Sequence, residues 1–182
     1  PALADKLVHD GNVVLSLEPR GLPAGQTRRL LGDWLSNTRA LMIGRDLAGM
    51  RAGDIIRGID QLASRTDVDT NSIYAAARGV QGVWLLMAAA IEPRIRRIWI
   101  DHTPYSLRTA LDNPLSHDLH DALVPGFALR WDLQDLVKAI APREVIWSDP
   151  TDWMREVQPH LEGYLYRTHD EPDERFVKDL LK

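Results

Sequence analysis

Cysteine is absent from this chain. That excludes disulfides, thiolate nucleophiles and cysteine-ligated zinc. A basic excess is absent too: Lys plus Arg is 22 against Asp plus Glu 26, a net charge of -4. Nucleic-acid binders present a basic face, so none is expected as a partner. The densest basic patch, Arg94, Arg96 and Arg97, reads as the solvated start of a strand. No apolar run reaches the roughly 18–20 residues of a membrane span, and the longest, Val80 to Ile91, falls short. Gly11, Gly79 and Gly82 lack the G-x-G-x-x-G spacing, so no dinucleotide site is expected. Neither an initiator Met nor a signal-peptide pattern is found at Pro1-Ala2-Leu3, which reads as a trimmed chain or a portion of a longer one.

What is present is the composition of an ordinary globular protein. Hydrophobic residues make up 45% and charged residues 26% of 182 residues, enough to build one core, and residues 1–182 read as a single domain. Val13 to Leu17 is a short apolar run between turn residues and predicts a first strand. Thr38 to Leu62 predicts a helix, with Ile55, Ile56, Ile59 and Leu62 on one face. Ile73 to Ala76 predicts a second strand. After a small-residue corner, Val83 to Ile91 predicts a helix apolar nearly all round, and hence buried on most sides. Ile95 to Ile100 and Val145 to Trp147 predict further strands, with a helix over Leu133–Ile140 between them. A fifth strand is expected over 163–168, and an amphipathic helix over 172–181. Strands alternating with helices define the α/β class: a mostly parallel sheet flanked by helices on both faces.

The corner between the second strand and its helix reads Ala77-Arg78-Gly79-Val80-Gln81-Gly82. With Asp69-Thr70-Asn71-Ser72-Ile73, Ala89-Ala90-Ile91-Glu92-Pro93-Arg94-Ile95, Asp101-His102-Thr103-Pro104-Tyr105-Ser106, Val124-Pro125-Gly126 and Ala141-Pro142-Arg143, it resembles the acetyl xylan esterase and dienelactone hydrolase branch of the α/β-hydrolase superfamily. The resemblance covers about residues 10–182 and rests on the order and spacing of motifs that are each weak alone. It implies a nucleophile elbow, G-x-S-x-G, at residues 77–81. Gly79 then stands at the nucleophile position, and glycine has no side chain with which to attack an acyl carbon. By the same resemblance Asp152 takes the acid position, with Asp149 as the near alternative, and His169 takes the base position. The Val80 N–H is one oxyanion donor. The first strands of the fold have no room upstream of residue 13, so they are expected to be missing from this chain and to belong to the remainder of a larger one. The implied ligand is a small ester or carbohydrate. The alternative role is a catalytically inactive hydrolase-fold domain that binds or scaffolds within a multidomain protein.

Other groups were weighed on their residues. Ser106 and Ser148 lie near strand ends and are the only serines offered as substitute nucleophiles. His117 and His120 are spaced to share a helical face, but no third ligand accompanies them and no metal site is expected. Asp101-His102 is better placed, since parallel sheets bind ligands at the carboxyl ends of their strands. Of six tryptophans, Trp84, Trp99 and Trp147 are expected in the core, and Trp131 and Trp153 on a surface for a carbohydrate or partner. No cofactor is expected.

Overall fold

A computed structural model describes residues 2–21, 32–113, 115–158 and the backbone of 166–167. Helix α1 spans Ala2–His9, α2 Trp34–Met42 and α3 Leu47–Ala63. Strand β1 (Ile73–Arg78), helix α4 (Gln81–Ile91) and strand β2 (Ile95–Asp101) follow. A long connection then carries two 3-10 turns, Arg108–Asp112 and Phe127–Leu129, around the short helix α5 (Leu119–Ala122). Helix α6 (Leu133–Ile140), strand β3 (Glu144–Ser148) and the two-residue strand β4 (Tyr166–Arg167) complete the described elements. The sheet is four-stranded in the order β1-β2-β3-β4, and every pair is parallel. The class is therefore α/β. Helices α3, α4 and α6 lie side by side, with α4 against β1 and β2 and α6 against β3.

The core forms where apolar strands meet the all-apolar helix. Ile95, Ile98, Ile100 and Trp147 from the sheet are buried against Val83, Trp84, Leu86 and Ala88 of α4. Helix α4 has no polar face because it has neighbours on most sides, as its sequence predicts. Its C-terminus is closed by two arginines. Arg143 donates to the carbonyls of Ala89 (2.6 Å), Glu92 (3.0 Å) and Ile95 (2.8 Å). Arg94 grips the Glu92 carboxylate at 2.6–2.8 Å. The Glu-Pro-Arg-Ile and Ala-Pro-Arg motifs thus close a helix end whose last carbonyls lack intrahelical partners.

Two expected elements differ. Val13–Leu17 joins no ladder among the described residues, and Leu15 and Leu17 are about 40% exposed. Its alternation is that of a strand, yet a strand requires a neighbour to take its backbone hydrogen bonds. The helix expected from Thr38 to Leu62 is two helices. Gly44, at φ +71°, reverses the chain, and Gly44 N–H and Arg45 N–H close the end of α2 on Leu41 and Ala40. Asp46 then caps α3 by accepting from the Gly49 N–H. The strand expected over 163–168 is described only at 166–167, and the helix expected over 172–181 lies outside the described residues.

Candidate functional site

Strands β1, β2 and β3 end on the same side of the sheet, because all three are parallel. Above those ends lies a cleft of about 290 Å³, walled by Gly79 and Val80, by His102 and His117, and by Asp152 and Trp153. Its position is the one that parallel sheets favour for ligands.

Gly79 turns the chain from β1 into α4 at φ +62°, a left-handed conformation that glycine adopts at little cost. Its N–H donates to the Asp101 carbonyl at 2.8 Å, which fastens the corner to the neighbouring strand. Val80 follows as the cap of α4, and no side chain caps it. Among the described residues no acceptor for the Val80 N–H is found, and Val80, at the N-terminal end of the helix, lines the cleft. The first turn of α4 packs closely on Thr103, and glycine at 82 makes room for it. A Cβ at Gly82 would stand 2.0 Å from Thr103 Oγ1.

Asp152 lines the cleft, and its carboxylate Oδ1 accepts from the N–H groups of Met154 (2.8 Å) and Glu156 (2.9 Å). It shapes the turn after β3. His169, the expected base, lies outside the described residues.

Neither proposed substitute serine offers a free hydroxyl to the cleft. Ser106 is buried and donates to Asp132, which also receives the Leu107 N–H (2.7 Å) and caps α6. Ser148 is fully buried; its Oγ donates to Asp101 Oδ1 at 2.9 Å and accepts from Trp99 Nε1 at 2.7 Å. Trp153 is a correction. It is buried, and its Nε1 donates to the Ser106 carbonyl at 2.6 Å, so it braces the cleft wall instead of offering an open stacking face. Trp131 is more than half exposed, as expected, and Trp84 and Trp147 are core. His117 and His120 do not share a helix, because α5 starts only at Leu119, after Asp118 in a left-handed conformation. His117 alone reaches the cleft.

The sequence pointed to Asp101-His102 only by its place at a strand end. In space the pair is joined, with His102 Nδ1 2.9 Å from Asp101 Oδ1. Arg78 Nε lies 2.9 Å from Asp101 Oδ2. Asp149 brings a third potential ligating atom, and the three lie within 4.8 Å of one another. Both Asp101 oxygens already have partners, His102 and Ser148 on one and Arg78 on the other. Asp101 and His102 are a hydrogen-bonded pair with the Asp149 carboxylate nearby.

The fold is that of an α/β protein with a cleft at the carboxyl ends of its parallel strands. No family model matches the sequence, and no curated protein does. Solved structures similar to it include a glucuronoyl esterase from Solibacter usitatus, at 20% identity and a TM-score of 0.43 over 71% of this chain and 34% of that one. Another is a CE15 glucuronoyl esterase from Teredinibacter turnerae, at 16% identity and a TM-score of 0.48 over 62% and 31%. A third is a promiscuous CE15 esterase from a marine bacterial metagenome, at 17% identity and a TM-score of 0.46 over 62% and 32%. The chain spans about a third of the length of each.

Proposed function

We propose that this chain is an α/β-hydrolase-type domain of the carbohydrate-esterase kind whose cleft receives a small ester or carbohydrate ligand without forming a seryl acyl-enzyme. Gly79 carries the reading. It occupies a tight strand-to-helix corner with a left-handed φ, the kind of turn on which a nucleophile elbow is built, and has no side chain. The cleft beside it, the unengaged Val80 N–H and the motif resemblance support the ligand class.

The test is labelling of the whole chain with a fluorophosphonate, which reacts with activated serines. The native protein is expected to stay unlabelled, and Gly79→Ser is expected to gain a label. A label on the native protein would place a working serine elsewhere and end this reading. A silent Gly79→Ser, folded by circular dichroism, would mean that the corner is not an elbow.

A second reading, a binding or structural module within a larger chain, has one observation in its favour. β1 is an edge strand of the described sheet, and a groove of about 170 Å³ separates it from Leu15 and Leu17. An open strand edge invites pairing with another segment. A silent Gly79→Ser would shift the weight to this second role.

A further inference from the structure

Asp101 and His102 end β2 at the cleft, and the reading above gives them no task. Asp101 is held from three sides: by His102 Nδ1 and Ser148 Oγ on one oxygen and by Arg78 on the other. Ser148 is itself pinned by Trp99. An ionised carboxylate only accepts hydrogen bonds, so the imidazole proton belongs on Nδ1 and the lone pair on Nε2. His102 holds this pose in a left-handed backbone at φ +47°, and its side chain is 37% exposed where it lines the cleft. Paired strands lie about 4.8 Å apart, so His102 stands next to Gly79, which follows the Arg78 that pairs with Asp101. His102 and Val80 thus line one cleft on either side of Gly79, which brings no side chain to it.

We propose that His102, positioned by Asp101, is the proton acceptor of this cleft and activates a water for direct attack on an acyl ester. The proposal rests on the reading of the cleft as an ester or carbohydrate site. The water oxygen bonds to the acyl carbon as its proton passes to His102 Nε2. The carbonyl electron pair moves to the oxygen facing the Val80 N–H. Collapse of the tetrahedral intermediate breaks the ester C–O bond, and the departing alkoxide takes the proton back from Nε2. Ester and water become acid and alcohol, the imidazole ends neutral, and no group on residue 79 is needed. Asp101 acts only through His102, by fixing its tautomer.

The experiment is p-nitrophenyl acetate hydrolysis by the whole chain, beside His102→Asn and, as a control on α5 outside the cleft lining, His120→Ala. Asparagine tolerates a left-handed φ, so the first variant keeps the backbone. Native hydrolysis above the buffer rate, without a burst, is expected. His102→Asn should lose about a hundredfold of it, the low side of general-base effects, or fall to the buffer rate, and His120→Ala should keep it. In the native protein the ¹⁵N spectrum of His102 should show the Nδ1–H tautomer. An unchanged rate in His102→Asn, a native rate equal to buffer, a stoichiometric burst, or an Nε2–H tautomer would each overturn the proposal. Fluorophosphonate labelling of the native protein would instead sink the reading of Gly79, so the two failures are distinguishable.

Discussion

Arg51 of α3 and Asp121 of α5 form an ion pair sealed from solvent, joining helices 70 residues apart in sequence. The guanidinium also lies 4.4 Å over the Trp84 ring and donates through Nε to the Arg20 carbonyl at 3.0 Å. Trp84 Nε1 in turn donates to the Asp121 carbonyl at 2.7 Å. One buried cation therefore ties α3, α4, α5 and the segment at Arg20 together.

Removing either partner strands the other charge away from water. Arg51→Met and Asp121→Ala should each cost about 3–5 kcal/mol in urea unfolding. The double variant should cost less than the sum of the two, because the groups share one interaction. Single variants within about 1 kcal/mol of native stability would show that the pair is not holding these helices.

Gly82→Ala probes the seat of the cleft corner. The added Cβ would meet Thr103 Oγ1 at 2.0 Å, Cγ2 at 2.8 Å and Cβ at 2.9 Å, and Thr103 is fully buried. Overpacking of this kind costs about 1–3 kcal/mol. Alanine would otherwise favour the helix over glycine. A loss of stability, partly recovered by adding Thr103→Ala, is the expected thermal-melt result. A gain would mean that the loop after β2 moves aside freely.

Glu92 gives the stability an acid edge. The hydrogen bond from Arg94 holds its buried carboxyl below the ordinary value of 4.5, against the opposing effect of burial. A carboxylate depressed in the folded state binds a proton more readily when unfolded. Its stabilisation is therefore complete above the unfolded value and is lost as pH falls through the folded one. The difference in urea midpoint between native protein and Glu92→Gln should be constant near neutrality and shrink below about pH 4.5. A difference that stayed flat to pH 3 would contradict the assignment.

Local signals carried much of the fold. The apolar run at Val83–Ile91 named a buried helix, and Leu133–Ile140 was bounded by its capping Asp132 and the following Ala141-Pro142. The break between α2 and α3 was also legible, since Gly44 and Asp46 are the residues that end one helix and start the next. The periodicity of Ile55 to Leu62 masked it. Trp153 misled because its position on a loop says nothing of the Ser106 carbonyl that draws its indole inward.

Sequence by itself determined the α/β class, the strand-to-helix corner and the missing side chain at Gly79, because each depends on residues close in the chain. Periodicity, turn chemistry and helix caps act over a few residues and leave their mark in order. Tertiary structure alone decided that Ser148 serves Asp101, that Arg51 meets Asp121, and that Val13–Leu17 has no partner strand among the described residues. Those outcomes depend on which distant groups satisfy a buried polar atom or a strand edge, and hydrogen-bond partners at long range leave no periodic trace in a sequence.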